Sequence, residues 1–541
     1  MKKNRLYIIL LFINCFVFGS NPPQKPKLIV GIVVDQMRYD YVYKYWNKFG
    51  EGGFKKMIRE GSFCRNVHFN YVPTYTGPGH ASIYTGTTPS EHGIVANEWY
   101  NRFTASNLYC AYDSTVNGVG SSTEEGKMSP RNMLVSTVSD EIHLAQMSKS
   151  KVIGISLKDR GAIMPAGHTA NAAYWMDGAG NFISSTYYMK SLPAWVNAFN
   201  QKKEVDKYLS KNWQTVLPIS EYTESIADNN PYEGKYKGEA QPVFPHKLPE
   251  LKTENGNGLI KATPFGNTIL KDFAISAIKG EQLGVSNLTD VLTVSFSSTD
   301  YIGHQFGTDA VELEDAYIRL DNDLSELLKY LEENLGKENV LLFLTADHGV
   351  VAVPQFFKDQ RIPAGNIDGK LFYDSAYEYM VKKYGEGNWI LSIVNDQVYL
   401  NTQLIAKKNM ELEKVENELS EFLISLPNVK NSITAHQLKF IDNSNALFKM
   451  CNNGYHPKRS GNVFIFWNPG YLLSSSKTGT SHGSSYTYDT HVPLIFWGNG
   501  IKSNTIDTHY SITSIAPTIS YLLGIEKPNA CFSDPIVEVV K

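Results

Sequence analysis

Five short runs of apolar, mostly β-branched residues predict the strands of a parallel sheet. They lie at 27–34, 152–156, 291–296, 340–344 and 492–497. Continuous apolar runs of this length are typical of strands that are buried on both faces. Segments with helical spacing alternate with them, at 41–60, 80–85, 131–147, 268–278, 313–334 and 511–523. This alternation predicts an α/β fold with a doubly wound, mostly parallel central sheet and helices on both faces.

Two long segments interrupt the alternation, at about 161–288 and 351–471. The first includes 229–258, which is rich in Pro, Gly, Asn and Lys, and the second contains its own helical pattern at 411–426. Such stretches favour insertions over core layers. We therefore predict one catalytic domain, residues 21–541, with two insertions that form a cap.

The first twenty residues have the pattern of a secretory signal peptide. Lys2, Lys3 and Arg5 precede an apolar run at 6–18, and Gly19-Ser20 follows it. The run is too short to cross a bilayer, and no later apolar stretch reaches spanning length. We expect cleavage near residue 20 and a periplasmic or secreted protein without a membrane span.

Composition excludes some classes of partner. Hydrophobic content of 42%, charged content of 19% and a formal net charge of −3 describe an ordinary globular protein, which we expect to be a monomer. No basic patch stands out, so nucleic acid is not expected as the main partner.

Four cysteines follow the signal segment, and the sequence leaves open three ways of pairing them in two disulfides: Cys64, Cys110, Cys451 and Cys531.

Carboxylates and imidazoles lie just after several predicted strands, where open α/β folds place their ligands. They are Asp35, Asp300, His304, Asp347, His348 and His482. Asp300 and His304 are four residues apart, so one helical face presents both to one ion. Asp347 and His348 are adjacent and can reach a second ion. A single histidine at a sheet edge is more often structural, but this set without thiolates suits two zinc ions.

Thr76 lies in the loop 70–97, just before a Gly-Pro step and the helical pattern at 80–85. A residue there sits at a helix N-terminus, where free N–H groups and the helix dipole favour an anion. The simpler interpretation is a helix cap. The metal ligands favour a nucleophile instead, because two ions clamp an in-line displacement at phosphorus and turn a hydroxyl into an alkoxide.

The motifs resemble those of the alkaline phosphatase superfamily. They are T-x-P-x-H at 76–80, GIVAN at 93–97, STDYIGH at 298–304, TADHG at 345–349 and TSHG at 480–483. Within it, the chain resembles the nucleotide pyrophosphatase/phosphodiesterase branch and, more closely, the single-threonine alkaline phosphatases of flavobacteria. The resemblance implies one zinc held by Asp35, Thr76, Asp347 and His348, and another held by Asp300, His304 and His482. It also implies that Thr76 is transiently phosphorylated and that Asn97 hydrogen-bonds a phosphate oxygen.

Lys158 and Arg160 favour the monoesterase branch, whose phosphate-binding segment is similar to the KDR at 158–160. A monoester dianion presents charged oxygens that an ammonium and a guanidinium can match. A solvated loop pair is the simpler alternative. A diesterase would have less use for these two positive charges.

The sequence therefore predicts a zinc-dependent alkaline phosphatase that hydrolyses phosphate monoesters. Two alternatives stay open: a nucleotide phosphodiesterase/pyrophosphatase of the same superfamily, and a catalytically inactive secreted zinc protein that binds a phosphorylated ligand. His80, His491 and Asp489 are weaker candidates for groups that support or replace the metal ligands.

Overall fold

The computed structural model describes residues 24–440 and 445–540. The predicted signal peptide, residues 1–20, lies outside the described residues. In this described part, no helix is both long and apolar enough to cross a membrane.

A central sheet of eleven strands organises the described chain. Leu28–Val34 lies near its middle and is buried along its whole length. It pairs in parallel with Val340–Thr345 on one side and Asp290–Phe296 on the other, and Val152–Ser156 pairs in parallel with the latter. The predicted doubly wound, mostly parallel α/β fold is confirmed. In spatial order the strands are Asn504–Ile506, Ser62–His68, His491–Gly498, Val340–Thr345, Leu28–Val34, Asp290–Phe296, Val152–Ser156, Ala172–Met176, Phe182–Ser185 and Gly118–Val119, with Tyr510–Ser511 beside Ser62–His68.

Helices pack against both faces of this sheet and complete the main core. The α-helices of the described residues are Tyr41–Lys44, Phe54–Glu60, Thr76–Thr85, Pro89–His92, Val138–Ala145, Asp159–Ala166, Ala194–Gln201, Glu204–Leu209, Leu248–Asn255, Pro264–Glu281, Ser298–Phe306, Val311–Leu335, Pro354–Asp359, Gly369–Tyr384, Thr402–Lys407, Leu412–Ser425, Ala446–Gly454, Thr487–Thr490 and Ile515–Leu523.

Two predicted helices are interrupted. The helix predicted at 41–60 breaks before Phe54, because the Asp321 carboxylate accepts hydrogen bonds from the N–H groups of Gly50 and Phe54 and holds the chain in a turn. The helix predicted at 131–147 begins only at Val138. Thr137 and Asp140 form a capping box there, which fixes the helix start.

Two parts of the sheet depart from the predicted pattern. His491–Gly498 runs antiparallel to Val340–Thr345, so the sheet is mixed at this side. Ala172–Met176 pairs in parallel with Val152–Ser156, although it lies within the segment predicted as an insertion at 161–288. The start of that insertion is therefore misplaced, because its first strand is a buried layer of the central sheet.

Residues 351–471 contain a second, four-stranded sheet with its own apolar core. Its spatial order is Ile390–Val394, Gln397–Leu400, Val463–Trp467 and Val429–Thr434. The helix Leu412–Ser425 buries Val415, Leu419 and Leu423 against this sheet. Two shorter pairs join Gly365–Ile367 to Tyr471–Leu473 and Glu98–Asn101 to Ser106–Tyr109.

The four cysteines of the described chain are free and buried, so neither predicted disulfide forms. Cys64 lies in the main core, Cys110 in a cluster beneath Thr76–Thr85, and Cys451 in a cluster that joins the second sheet. These three thiols therefore lie in different clusters.

Candidate functional site

Thr76 is the first residue of the helix Thr76–Thr85 and is 1% exposed. Tyr75 precedes it in an extended conformation, so the Thr76 hydroxyl lies at the helix N-terminus, as predicted. Its Oγ1 is 3.5 Å from Nε2 of His348. The side chain therefore faces an imidazole of the predicted metal site at the positive end of its own helix dipole.

The three predicted histidine ligands are oriented in the same way. Nδ1 of His304 lies 2.7 Å from the Thr480 carbonyl oxygen. Nδ1 of His348 lies 2.9 Å from the Gly349 carbonyl oxygen, and Nδ1 of His482 lies 2.8 Å from that of Thr74. Since a carbonyl oxygen only accepts, each Nδ1 donates its proton, and a neutral ring then presents its Nε2 lone pair to the site. This arrangement is typical of metal-binding histidines.

One candidate metal group consists of Asp300, His304 and His482. The helix Ser298–Phe306 carries the first two on one face, with Nε2 of His304 3.1 Å from Oδ1 of Asp300. Nε2 of His482 lies 3.7 Å from the same oxygen. The spacing of four residues thus brings the predicted pair together, and a distant loop supplies the third ligand.

A second candidate group consists of Asp35, Asp300 and His348. Nε2 of His348 is 3.4 Å from Oδ1 of Asp35, which is buried and has no hydrogen-bond partner. Asp347, predicted as a ligand beside them, lies outside this group, although its Oδ2 is 3.7 Å from Nε2 of His348 and 3.3 Å from Nδ1 of His80. Asp300 belongs to both groups, so it lies between the two candidate ion positions.

These residues fit divalent cations. Buried carboxylate oxygens without partners are costly unless a cation or donor reaches them. Nitrogen and oxygen ligands without thiolates suit zinc among the common metals. The described chain thus offers two adjacent groups that could hold metal ions, one of them beside the Thr76 hydroxyl.

The ionisation of these ligands follows from their burial and charges. Burial is the main reason that the pKa of Asp35 lies well above its usual value, and the negative charges of Asp300 and Asp347 raise this pKa further. Burial opposes ionisation of Asp300 too, but His304 and Lys158 hold the pKa of Asp300 well below its usual value. Burial lowers the pKa of His348 and of His482, which favours the neutral rings that metal coordination requires.

Lys158 lies directly between two of the predicted ligands. It precedes the helix Asp159–Ala166, and its Nζ donates to Oδ2 of Asp35 and to Oδ2 of Asp300, at 2.6 Å each. Burial opposes its charge, but Asp300 and Asp35 keep the pKa of Lys158 above its ordinary value. In this structure the ammonium neutralises the ligand carboxylates, so its predicted contact with substrate phosphate stays a prediction.

Arg160 and Asn97 are each held by a hydrogen bond to a neighbouring residue. Nη1 of Arg160 donates to the Tyr109 hydroxyl at 2.9 Å, and that hydroxyl donates to Asp159 at 2.6 Å. The buried Nε of Arg160 has no partner. Oδ1 of Asn97 accepts a hydrogen bond from the Gly77 N–H at 2.8 Å, which fixes this side chain next to Thr76.

Gln36 and Tyr109 contact predicted site residues, although the sequence analysis did not single them out. The Gln36 N–H donates to Oδ1 of Asp347 at 3.2 Å, and its Nε2 donates to Oδ1 of Asp300 at 2.7 Å. Gln36 holds a left-handed φ of 65°, which an ordinary side chain rarely adopts. The position of Gln36 directly after Asp35 in the sequence could have identified it as a candidate site residue. Nothing in the sequence singles out Tyr109 among the tyrosines.

The three weaker candidates lie outside both metal groups of the described residues. His80 uses Nδ1 on the Thr76 carbonyl oxygen and Nε2 on Ser295, so both its ring nitrogens are engaged. The His491 Nε2 lies 2.8 Å from the Arg65 carbonyl oxygen at the sheet edge. Asp489 accepts hydrogen bonds from the Ser484 N–H and hydroxyl.

Gly79 lets the Thr76 helix approach the Asp347 loop closely. A Cβ on Gly79 would lie 2.3 Å from the Asp347 carbonyl oxygen, so Gly79→Ala must displace backbone. We expect it to lower the free energy of unfolding by about 1–3 kcal/mol. At Gly258 a Cβ would meet nothing within 4 Å. The control Gly258→Ala should change stability by less than about 0.5 kcal/mol in the same denaturant titration; equal effects would contradict the close approach.

Comparison with known proteins places the chain in a family. The type I phosphodiesterase / nucleotide pyrophosphatase family matches residues 29–492, a range that includes every predicted metal ligand. The chain belongs to this family. A relative from Myroides odoratus, named calcium-transporting ATPase, is 45% identical over 100% of this chain and 99% of its own. Alkaline phosphatase PafA from Elizabethkingia meningoseptica is 42% identical, covering 96% of each chain.

A solved structure extends the family likeness to three dimensions. The crystal structure of wild-type alkaline phosphatase PafA matches this fold with a TM-score of 0.92 and 42% identity. The match covers 96% of this chain and 100% of that chain. The central sheet and the second sheet of this family member therefore share their arrangement with an experimentally determined relative.

Proposed function

We propose that this protein is a metal-dependent alkaline phosphatase that hydrolyses phosphate monoesters through a phosphothreonine on Thr76. The observation that carries the proposal is the Thr76 hydroxyl, 3.5 Å from His348 and at the N-terminus of its own helix. The likeness to a relative named alkaline phosphatase supports the same reaction. The apolar run at 6–18 supports export to the periplasm or medium, and we expect a monomer.

In this mechanism Thr76 supplies the attacking oxygen. The Thr76 hydroxyl gives up its proton to solvent, and its Oγ1 forms a bond to phosphorus while the bond from phosphorus to the leaving alcohol breaks; that alcohol takes up a proton from solvent. Water then attacks phosphorus, the bond to Oγ1 breaks, and inorganic phosphate leaves with the hydroxyl restored. Splitting the displacement in this way is the general logic of a covalent intermediate.

Asn97 and Arg160 bind the non-bridging oxygens of phosphate. The amide N–H₂ of Asn97 is held beside Thr76 because its Oδ1 is fixed by the Gly77 N–H. Arg160 is oriented by Tyr109, so that its unpartnered Nε is available to an anion. Charge-assisted hydrogen bonds of this kind are stronger than neutral ones and orient the group that reacts.

We propose two zinc ions as the cofactors. Asp300, His304 and His482 would hold one of them, and Asp35, Asp347, His348 and Thr76 would hold the other. When bound, zinc lowers the pKa of the Thr76 hydroxyl and stabilises charge on the leaving oxygen. Lys158 supports this proposal because its ammonium contacts Asp35 of one ligand set and Asp300 of the other. Bound zinc ions would compete for these carboxylates and displace the ammonium toward substrate oxygens.

The second candidate function is hydrolysis of nucleotide phosphodiesters. It is favoured by the family description, which names phosphodiesterase and nucleotide pyrophosphatase activities. A diester carries a single negative charge on its non-bridging oxygens, so it leaves more of the positive charge of Lys158 and Arg160 unmatched. For this reason we place monoesters first.

A comparison of two substrates tests the choice. Zinc-supplemented protein should hydrolyse p-nitrophenyl phosphate with a kcat/KM on the order of 10²- to 10⁴-fold above that for bis-p-nitrophenyl phosphate, because two charge-assisted hydrogen bonds contribute about 1.5–3 kcal/mol each. Release of nitrophenolate measures both rates. A higher kcat/KM for the diester would make the second candidate the function of this protein.

A further inference from the structure

A cavity of about 190 Å³ lies between the second sheet and the edge of the catalytic site. Tyr75 and His482 line it on the catalytic side, and Tyr373 and Trp467 line it on the other. The rings of Tyr75 and His482 meet edge to face, 5.6 Å apart. Since Tyr75 directly precedes Thr76, the cavity shares a wall with the reaction site.

Two carboxylates line this cavity without a basic partner. Asp489 is 1% exposed, and its Oδ1 has no hydrogen-bond partner although Oδ2 is held by Ser484. Asp396, at the turn of a hairpin, accepts a hydrogen bond from Nε1 of Trp467 at 2.9 Å. The described residues that line the cavity include no lysine or arginine. Burial raises the pKa of Asp489 to about 7 and that of Asp396 to about 6.

Aromatic rings form much of the remaining wall, among them Tyr75, Tyr373, Trp467 and Tyr488. Aromatic faces attract organic cations, by about 2 kcal/mol or more where water is excluded. Unpaired buried carboxylates gain from a cation for the same reason. The wall therefore suits an ammonium group, and it would repel a second phosphate or a carboxylate.

The cavity lies on the side of the site where the alcohol part of a monoester would extend. Thr76 contacts His348, whereas His482 belongs to the candidate group with His304. In an in-line displacement the attacking and leaving oxygens lie on opposite sides of phosphorus. An ion at the group of Asp300, His304 and His482 would then stabilise the leaving oxygen, and since His482 also lines the cavity, the alcohol extends toward it.

We propose that this cavity binds the ammonium group of amino-alcohol phosphates, which are thereby preferred over neutral monoesters. The inference rests on the proposed monoesterase function. It assigns Asp396 and Asp489 to substrate selection and gives them no part in the chemical step.

Two esters of the same shape test the preference. Phosphocholine carries a quaternary ammonium, and 3,3-dimethylbutyl phosphate replaces that nitrogen with carbon. The wild-type kcat/KM should be about 10- to 30-fold higher for phosphocholine. Asp396→Asn should reduce this ratio to below about threefold, because it removes the charge. Asparagine keeps an acceptor for Trp467 and tolerates the φ of 57° at this position.

The matched control is Asp374→Asn, which removes the same charge from an exposed pair with Lys370 on the same insertion. Its ratio should equal that of the wild type. Choline itself gives a second readout, since it should inhibit p-nitrophenyl phosphate hydrolysis competitively and more strongly than 3,3-dimethylbutanol. If Asp396→Asn does not fold, Asp489→Asn replaces it, with the same expected loss of the ratio.

The outcomes separate this inference from the function on which it rests. If the wild type hydrolyses p-nitrophenyl phosphate but treats the two isosteric esters equally, the inference is overturned and the proposed function stands. A preference that persists in both cavity variants also overturns it. If none of the three esters is hydrolysed, the proposed function is contradicted, and this inference with it.

Discussion

Thr76→Ala is expected to abolish phosphate ester hydrolysis while the protein keeps its metal. The variant loses the oxygen that takes up the phosphoryl group, and nucleophile removal in covalent enzymes costs about 10⁴-fold or more in kcat. The aspartate and histidine ligands are untouched, so bound zinc should stay close to the wild-type content. Hydrolysis of p-nitrophenyl phosphate and elemental analysis of the purified variant measure the two properties.

The matched control for this variant is Thr76→Ser, which keeps a hydroxyl at the first position of the helix Thr76–Thr85. It should retain activity within about tenfold of the wild type, since it preserves the attacking group. An alanine variant with more than about a tenth of wild-type activity would exclude the covalent route through Thr76.

Replacing Lys158 and Arg160 together with alanine should affect monoesters far more than diesters. We expect kcat/KM for p-nitrophenyl phosphate to fall on the order of 10²- to 10⁴-fold, from the loss of two charge-assisted hydrogen bonds at about 1.5–3 kcal/mol each. For bis-p-nitrophenyl phosphate the fall should be within about tenfold, because fewer phosphate charges are left unmatched.

Arg160→Ala alone is the control that separates substrate binding from metal binding. Lys158 also neutralises Asp35 and Asp300, so its removal alters the ligand carboxylates, whereas Arg160 contacts Tyr109 instead. The single variant should keep its zinc and still lose monoester activity selectively. Equal losses for the two substrates would contradict the role of Arg160 as a phosphate ligand.

Much of the candidate site could be predicted from the sequence, because a parallel sheet places residues from distant segments at one edge. Asp35, Asp300 and Asp347 each come directly after a buried strand or within a turn of it, and parallel strands bring their carboxyl ends to one edge. The spacing of Asp300 and His304 fixes them on one helical face without any tertiary information. Local pattern and sheet topology were therefore sufficient to predict that these candidate ligands lie together.

Other features depend on side-chain geometry that no local pattern contains. Gln36 bridges Asp300 and Asp347 only because its backbone takes a left-handed conformation. The predicted contact of Lys158 with substrate stays a prediction, but the sequence did not indicate that its long side chain also reaches Asp35 and Asp300. Tyr109 orients Arg160 from a separate hairpin, so its role depends on how that hairpin packs against the sheet.

The misplaced helix at 131–147 has a different cause. Thr137 and Asp140 carry a capping-box pattern in the sequence itself, so the true start at Val138 was readable there. The helix was predicted from residue 131 because apolar periodicity was followed past this signal, so the predicted start is too early. The strand Ala172–Met176 was missed in turn because it lies among irregular segments of the predicted insertion, although it is buried like the other sheet strands.

Zinc titration into metal-free protein tests the central claim most directly. The aspartate and histidine groups around Thr76 predict that protein stripped by a chelator is inactive, since an unassisted hydroxyl is a poor nucleophile at ordinary pH. Activity toward p-nitrophenyl phosphate should return as zinc is added and should reach its maximum at about two equivalents per chain. Full activity in the metal-free protein, or a maximum reached without stoichiometric binding of zinc, would contradict the account.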